Sequence, residues 1–596
     1  MTYAPLGYTG GSTRACAGYP RASLTIPVGI FGAVVGGLTA MIGALCLASL
    51  LSRGRSVFPA GAGAYWLMSP VIALAAYRGS GFGTARDHQF GRSEHIPAGQ
   101  FCQAETSRHR PGMSVNQPMS TNSTLDYASQ LRVKVLALIF LGISAALIGC
   151  VIAFLDELAW ALLYCSFVFA LIIFANYRNG IWLLTLLLPF ASTQLVPREL
   201  FGVIGLNPFN ILFVLTLLSL FAASAFRRED IRFVSLPTTF WVYVAVMGVG
   251  AYVGAGSVEG ARVLPHSEPL TKTTYLLDAF FKPLMILAVA WLAAVLSRNG
   301  NGRSVIWALT AAYVAFFLVI AGYLVINGTS LQGLAAGDRE FLDWTGLHAN
   351  DVGELANIGL AILLFTALAT SAPWSRAMLL ACAGAAATMA ALTFSRAAFV
   401  GIGIILGYFV WKQRSMGRFL LVLSAIATVA LLLPDAFFER ASTGLATGDE
   451  QAITAGRLDE IWRPLIGTFW EAPIIGHGLY STLWATPNLR GAMLPVGQAH
   501  SAYLDVALDL GILGIVVVAA FFWSVWAMFR DLSKQHIDPQ WRGVFEGCIV
   551  CLLFLAVQGF TNDRFTPTAP QTALWLCYGL ALGQAQSTRS ITRPQP

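Results

Sequence analysis

The sequence predicts an all-α, polytopic membrane protein, a bundle of about 12 to 16 transmembrane helices with one large folded outer loop. Two observations carry this prediction. Hydrophobic residues make up 56% of the 596 residues and charged residues only 11%, against about 25% charged in soluble proteins. Apolar runs of about 15 to 28 residues also recur, close to the roughly 20 that cross a bilayer as a helix. Lipid offers no partner for unpaired backbone groups, so these runs are expected to be helices rather than open strands.

Sixteen apolar runs qualify as candidate spans. The short runs at Gly180 and Ala397 could merge with neighbours or re-enter the membrane. The first run is too long, and too closely followed by a second, for a cleaved signal peptide, so it is expected to be an anchor. The candidate spans are Leu24–Leu51, Val57–Tyr77, Val135–Phe154, Leu158–Ala175, Gly180–Ser192, Phe209–Ala225, Leu236–Gly256, Leu276–Ser297, Val305–Ile326, Val352–Ser371, Ala377–Phe394, Ala397–Trp411, Phe419–Leu433, Tyr503–Met528, Val544–Phe560 and Ala569–Ala585.

The orientation follows from the basic residues, because short cytoplasmic loops accumulate Lys and Arg. With sixteen spans and the N-terminus inside, nearly every inner hairpin receives basic residues, such as the cluster at Arg227, Arg228 and Arg232. Arg53 and Arg55 are exceptions, since this topology places them outside. Both termini are therefore predicted to be cytoplasmic. The net charge of +7 then describes the inner rim of a membrane protein rather than a nucleic-acid surface.

The chain divides into five segments by pattern. A Gly-, Ser-, Arg-, Gln- and Pro-rich stretch before the third span has little apolar periodicity, which predicts a disordered linker. A stretch before the fourteenth span has amphipathic, aromatic pieces and Gly-rich turns, which predict a folded loop. The segments are 1–77 with two extra N-terminal spans, 78–131 as a disordered cytoplasmic linker, 132–433 as the transmembrane core, 434–500 as the large periplasmic loop, and 501–588 with the C-terminal spans.

Cysteines and charged residues within the spans indicate structure rather than chemistry. All nine cysteines fall in predicted spans or cytoplasmic segments, so no disulfide is expected outside. Cys548 and Cys551 have CxxC spacing, but they lie in an apolar span without a second pair of ligands, so no metal site is predicted. Asp278 and Lys282 are four residues apart in one span, which predicts an internal, structural ion pair.

Five sequence fragments carry a family resemblance. Their order and their common predicted side of the membrane resemble the O-antigen ligases and O-antigen polymerases of bacteria, and the hydrophobic layout extends the resemblance over roughly residues 130 to 590. The fragments are "TGLHANDVGELA" at Thr345–Ala356, "LTFSRAAFVGI" at Leu392–Ile402, "AGRLDEIW" at Ala455–Trp462, "PIIGHGLY" at Pro473–Tyr480 and "AHSAYLDVALDLGILG" at Ala499–Gly514.

The resemblance implies an enzyme of cell-surface polysaccharide biosynthesis in the bacterial inner membrane. Such a glycosyltransferase moves a glycan from an undecaprenyl-pyrophosphate carrier to an acceptor hydroxyl at the periplasmic face. In a ligase the acceptor is the lipid A core, and in a polymerase it is another carrier-linked glycan; the sequence leaves both open. The expected partners are the lipid-linked donor, the acceptor and membrane lipids. No metal, cofactor or nucleic acid is expected.

Displacement of a pyrophosphate requires cations that hold the leaving group. Arginine suits this task, since its guanidinium binds phosphate oxygens through two parallel hydrogen bonds and does not deprotonate. Arg396, Arg457 and Arg339 lie on the predicted outer side, against the charge trend of the chain. Arg396 follows a serine at the outer end of a span, and Arg457 follows Gly456 before an amphipathic stretch. These three arginines are the predicted pyrophosphate ligands; a snorkelling interfacial role is the alternative.

The acceptor hydroxyl requires a base, and His500 is the predicted one because imidazole titrates near neutral pH. It lies at the family's His-containing motif, directly before the span that closes the outer loop, with Ser501 where the family has Asn. A residue that only starts the helix is the alternative interpretation. Asp505 and Asp509 share one helix face and suggest a polar cavity or an arginine partner. These two residues and Tyr503 are predicted to support the site, whereas His477 is expected to be structural.

Two other function classes remain open. A flippase or exporter of lipid-linked glycans would also be a large helical membrane protein, but it has no need of a folded outer loop with a histidine. A metal-dependent transferase of the oligosaccharyltransferase type would need paired carboxylates in an early outer loop, where Asp156 and Glu157 are the adjacent pair.

Overall fold

The computed structural model describes the greater part of the chain from residue 170 onward. The described residues belong to one compact unit of the chain. Several predicted features lie outside the described residues: the two N-terminal spans, the 78–131 linker, the Val135–Phe154 span, most of the Leu158–Ala175 and Phe419–Leu433 spans, Asp156, Glu157 and Arg339. The described residues are 170–191, 193–196, 199–200, 203–227, 229–261, 269–326, 330–336, 345–417, 419–420, 423–424, 434–435, 438, 454, 456–535, 538–561 and 564–592.

The described part is almost entirely helical, apart from a two-residue antiparallel pairing of Glu199–Leu200 with Val203–Ile204. A short π-helical turn at Leu277–Phe281 lies within α4, and another at Leu458–Trp462 leads into α10. The helices are α1 Tyr177–Leu187, α2 Pro208–Ala225, α3 Thr238–Ala255, α4 Lys272–Arg298, α5 Gly302–Ile326, α6 Leu331–Ala336, α7 Ala349–Ala369, α8 Pro373–Leu392, α9 Arg396–Gln413, α10 Arg463–Phe469, α11 Thr486–Leu489, α12 Ala502–Lys534, α13 Pro539–Gln558 and α14 Thr572–Thr592.

Among the described residues, 8 helices are long and apolar enough to cross a membrane. This finding confirms the predicted all-α, polytopic class. Each predicted span that lies wholly in the described ranges coincides with a helix, with ends that differ by a few residues. Helix α4 begins at Lys272 rather than Leu276 because Thr271 and Thr274 form a capping box there. Helix α12 continues to Lys534 because the charged residues beyond its apolar run still favour helix.

Basic residues gather at one end of the bundle, named here the basic end. Arg298 of α4 binds the carbonyl of Phe233 and the Gln586 side chain. Arg303 of α5 pairs with Asp538, directly before α13. The Lys412 ammonium, near the end of α9, lies 2.7 Å from the carboxylate of Glu546. These contacts place the ends of α4, α9 and α14 beside the beginnings of α5 and α13.

Helix α7 lies in the interior of the bundle. In an apolar 18-residue stretch of this helix, 83% is buried inside the protein. Helix α13 approaches its backbone directly: a Cβ on Gly547 would lie 2.7 Å from the carbonyl oxygen of Ala361. Small residues permit such close contacts between membrane helices. A polar side chain on α7, such as Glu354 at 4% exposure, is therefore inside the protein rather than in lipid.

The predicted ion pair of Asp278 and Lys282 is confirmed at the π-helical turn of α4. Both side chains are about half exposed, so the pair lies on the surface of the bundle, and the prediction that it is internal is wrong. Among the described cysteines, Cys382, Cys548, Cys551 and Cys577 are free and buried.

Candidate functional site

Several chain segments meet at the end of the bundle opposite the basic end, named here the loop end. The backbone N–H of Ala502, the first residue of α12, donates to the carbonyl of Gly559 directly after α13, at 2.8 Å. The hydroxyl of Ser395, before α9, lies 2.6 Å from the side-chain oxygen of Asn350 in the first turn of α7. The loop end therefore combines the N-termini of α7, α9 and α12 with the C-terminus of α13.

Helix α12 is broken at Gly511, whose φ of 63° and ψ of −161° are not helical. The break removes backbone hydrogen bonds within the helix, and the "PIIGHGLY" segment (Pro473–Tyr480) replaces them. His477 N–H and Gly478 N–H donate to the carbonyls of Leu508 and Asp509, at 2.8 and 2.9 Å. In return, the N–H groups of Ile512 and Leu513 donate to Pro473 and Ile474, at 2.8 and 3.1 Å. The outer loop is thereby joined to a membrane helix through its backbone.

The carboxylate of Asp509 fixes the end of that segment. It accepts hydrogen bonds from Tyr480 N–H at 3.0 Å, Ser481 N–H at 2.9 Å and the Ser481 hydroxyl at 2.7 Å. Tyr480 adopts a left-handed conformation, with φ of 66°, and its ring carries the guanidinium of Arg564 at 3.5 Å from the ring centre. Asp509 thus holds the residue on which Arg564 stacks.

His500 stands in a strained turn, with φ of 52°, between two anchored neighbours. The Asp505 carboxylate accepts a hydrogen bond from Ala499 N–H at 3.0 Å. Ser501 caps α12, since its hydroxyl accepts from Leu504 N–H at 3.4 Å. The capping role therefore belongs to Ser501 and not to His500. A left-handed conformation is costly for a residue with a side chain, and such strain occurs at functional sites.

Arg457 and Arg396 both reach the loop end. Arg457 precedes the π-helical turn at Leu458–Trp462 and donates from its guanidinium to the carbonyl of Thr561 at 2.8 Å, beyond the end of α13. Arg396 is the first residue of α9 and follows Ser395, which is tied to Asn350 of α7. Two of the three predicted pyrophosphate ligands are thus attached to the same group of helix ends.

The loop between Pro434 and Ala499 has a hydrophobic core of its own where it is described. Trp462 also donates to the carbonyl of Ala499 at 2.9 Å, which ties this core to the turn before His500. This cluster of buried apolar side chains supports the prediction that the loop is folded. Its buried members are Ile461, Leu465, Ala485, Met493, Ala499 and Leu508.

Tyr503 and His477 have structural contacts. The Tyr503 hydroxyl donates to the carbonyl of Ala556 at 2.7 Å, and its ring packs against Phe560 and Phe565 with centroids 4.7 and 4.9 Å apart. This arrangement fastens α12 to α13. The His477 ring contacts the carbonyl of Thr468 at 2.8 Å within the loop.

A pocket opens at the loop end beside these residues, with about 380 Å³ of empty space, part of it open to solvent. Its walls include two carboxylates from the first turns of α7, a guanidinium and several amide and hydroxyl groups. The lining residues are Asp351, Glu354, Ala502, Leu555, Gln558, Gly559, Arg564, Phe565, Thr568 and Gln571. Ala502 lies two residues after His500, so the pocket adjoins the predicted base.

Arg564, Glu354 and Gln558 were missed as site residues. Arg564 lies between two predicted spans on the predicted outer side, so the charge criterion that selected the other arginines could have found it. Glu354 is a carboxylate within a predicted span, which marks functional positions in membrane proteins. Gln558 had no signal in the sequence, because its role depends on which helix ends meet in space.

The fold and the site define a polytopic membrane protein with arginine, histidine and carboxylate side chains collected at one end of its helices. Residues 378–519 match the family model of the O-antigen ligase. The match includes Arg396, Arg457, His500, Asp505 and Asp509. No curated protein matches the chain.

The chain therefore carries an O-antigen ligase domain, which confirms the predicted resemblance. The matched domain supports a role in glycan transfer in cell-surface polysaccharide biosynthesis.

Proposed function

We propose that the protein transfers a glycan from undecaprenyl pyrophosphate to an acceptor hydroxyl at the periplasmic face of the bacterial inner membrane. The acceptor is either the lipid A core, as in a ligase, or a growing glycan, as in a polymerase. The observation that carries the proposal is the gathering of Arg396, Arg457 and His500 at the loop end, within the segment that matches the O-antigen ligase family model.

The loop end suits an anionic leaving group. Arg396 and Arg457 supply permanent positive charge and paired hydrogen-bond donors for phosphate oxygens. The N-termini of α7, α9 and α12 point to the same end, and the partial positive charge of helix N-termini favours anions. When the bond between the anomeric carbon and the pyrophosphate oxygen breaks, the electron pair goes to the pyrophosphate, and these groups stabilise the charge. Arg339 is proposed as a third ligand from its sequence position alone.

His500 is proposed to accept the proton of the acceptor hydroxyl. The acceptor oxygen then forms the new bond to the anomeric carbon while the carrier pyrophosphate leaves. A general base must lie in a fixed position relative to the proton that it takes. Asp505 and Ser501, which hold the residues on either side of His500, supply that fixed position. The arginines provide the cationic charge in this proposal, so it requires no metal ion.

The orientation is proposed from the distribution of charge. The basic end carries Arg298, Arg303 and Lys412, and cytoplasmic loops of membrane proteins accumulate such residues. The loop end then faces the periplasm, where both substrates are expected, and both termini are cytoplasmic.

Labelling with a thiol reagent that does not cross membranes tests this orientation. A cysteine introduced at Arg490, an exposed residue of the loop, is expected to react from outside in intact cells. A cysteine at Arg414, the exposed cap of α9 at the basic end, is expected to react only after permeabilisation. The unmodified protein is the control for its native cysteines. The opposite labelling pattern would contradict the orientation and remove the periplasmic site.

The decisive experiment is reconstitution of the purified protein in lipid with a carrier-linked glycan and each acceptor in turn. A ladder of product lengths identifies a polymerase, and one product on the lipid A core identifies a ligase. Transfer is expected to continue in excess EDTA, whereas its loss would favour a metal-dependent transferase. Movement of the donor across the membrane with no new glycosidic bond would refute the proposal in favour of a flippase.

A further inference from the structure

The pocket beside His500 has a composition that differs from that of a phosphate site. Its charged lining residues are Asp351, Glu354 and Arg564, so carboxylates outnumber the guanidinium. A pyrophosphate would meet repulsion from both acids at short range. Carboxylate and amide oxygens are instead hydrogen-bond acceptors, which match hydroxyl donors. The lining is therefore suited to the hydroxyl groups of a sugar.

Two polar atoms in the pocket wall have unused hydrogen-bonding capacity. Gln558 is 5% exposed, and its side-chain oxygen is buried without a hydrogen-bond partner among the described residues. Within the same part of the chain, the Thr568 hydroxyl is buried and likewise unpartnered. A buried polar atom without a partner costs about 1–3 kcal/mol, so such groups are rare unless a ligand or water completes them.

Other polar groups in the pocket wall, such as those of the neighbouring Gln571, do have hydrogen-bond partners. Its amide donates to the carbonyl of Arg564 at 3.3 Å, and its oxygen accepts from Trp575 at 3.2 Å. Gln571 therefore holds the wall in place, while Gln558 and Thr568 keep acceptor capacity at the pocket. Phe565 adds an apolar surface to the lining, against which the C–H face of a sugar ring can pack.

The predicted phosphate ligands lie beside the pocket rather than in it. Arg457 contacts Thr561, three residues before Arg564 along the α13–α14 connection. Arg396 follows Ser395, which contacts Asn350, the neighbour of Asp351. This arrangement separates an arginine region for the pyrophosphate from an acceptor-rich pocket a short distance away.

We infer that the pocket lined by Glu354, Gln558 and Thr568 is a sugar subsite that binds glycan hydroxyl groups, distinct from the arginines that bind the pyrophosphate. The inference rests on the proposed function, and it assigns the part of the substrate that this pocket holds. The sugar is either the first residue of the donor or the residue that carries the acceptor hydroxyl. Both present the same hydroxyl chemistry.

Two substitutions test the subsite without removing volume. Gln558→Met and Thr568→Val replace the unpartnered polar atoms with apolar groups of similar size. Because they also remove a buried atom without a partner, both variants are expected to fold with wild-type or higher stability. The matched control is Gln584→Met, which removes a glutamine at the basic end whose amide donates to the Ser297 hydroxyl at 3.2 Å.

Binding is measured in lipid nanodiscs with three probes: undecaprenyl pyrophosphate, the same carrier with one N-acetylglucosamine, and free lipid A core oligosaccharide. For a donor subsite, the wild type binds the glycosylated carrier more tightly than the bare carrier. Each pocket variant is expected to weaken this binding about tenfold, the effect of one lost hydrogen bond of roughly 1.4 kcal/mol, and to leave the bare carrier unchanged. For an acceptor subsite, the same loss appears with the core oligosaccharide.

Three results would overturn the inference. The first is equal loss of bare-carrier binding in the pocket variants, which would make the pocket a phosphate site. The second is wild-type binding of all probes by both variants, and the third is the same loss in Gln584→Met. If the wild type bound no carrier and transferred no glycan, the proposed function itself would fail, a result distinct from these three.

Discussion

The break in α12 at Gly511 leads to the sharpest prediction, the effect of Gly511→Ala. The backbone there has φ of 63° and ψ of −161°, a region that is almost exclusive to glycine. Such a conformation costs about 1–3 kcal/mol for a residue with a side chain. A Cβ would also lie 2.5 Å from the backbone of Ile474 and 2.8 Å from the nitrogen of Gly476. Backbone atoms cannot move aside as side chains do, so overpacking adds about 1–3 kcal/mol.

Together these terms predict that Gly511→Ala destabilises the docked outer loop by about 2–6 kcal/mol. The matched control is Gly384→Ala in α8, where nothing lies within 4 Å of a new Cβ and the backbone is helical. Thermal unfolding in detergent is the assay for both variants, and glycan transfer is the second readout. Gly511→Ala is expected to unfold at lower temperature and to lose transfer, while Gly384→Ala keeps both. Equal behaviour of the two variants would refute the role given to the break.

The other predictions concern the reaction. Arg396→Ala and Arg457→Ala are each expected to lower kcat/KM for transfer by about 10- to 100-fold, because each removes a charged hydrogen bond to the phosphate. The control is Arg463→Ala, which removes a surface ion pair with a nearby aspartate. Equal effects in all three variants would argue against specific phosphate binding. His500→Ala is expected to slow transfer by about a hundred- to ten-thousand-fold without weakening donor binding. The wild-type rate should fall toward acid pH, because a protonated imidazole cannot accept a proton, and this acid limb should be absent from the variant; an unchanged rate and pH profile would move the base elsewhere. Tyr480→Leu is expected to raise the donor KM several-fold, because it removes the aromatic ring on which Arg564 stacks. Tyr480→Phe keeps the ring and is expected to keep the wild-type KM. Similar KM values for the two variants would contradict the stacking role.

The helices could be predicted from the sequence because their signal is local. An apolar run of sufficient length has one solution in lipid, and the predicted Phe209–Ala225 span differs by one residue from the observed α2. The break at Gly511 could not be predicted, because a single glycine in an apolar run is compatible with an unbroken helix. Only its pairing with the loop shows why the helix is interrupted.

Part of the candidate site could also be predicted, because some of its residues carry a local signal in the sequence. Arg396, Arg457 and His500 stand out in the sequence, since they are charged or titratable residues on the predicted outer side. Asp509 was predicted to face a polar cavity or an arginine, and its electrostatic interaction with Arg564 supports that expectation. Its hydrogen bonds to Tyr480 and Ser481 depend on tertiary contacts across 28 or 29 residues of sequence separation.

The backbone bonds between "PIIGHGLY" and α12 have a consequence for substrate entry. Swinging this segment away would break four backbone hydrogen bonds to the helix and expose their groups, at a cost of about 1–3 kcal/mol for each group left unsatisfied. The segment is therefore a fixed wall and not a lid. Under the proposed function, the hydrocarbon tail of the carrier lipid stays in the bilayer, so the lipid is expected to enter sideways from the membrane past other elements. The proposed donor is then expected to reach the site through the plane of the membrane, with the outer loop already in place.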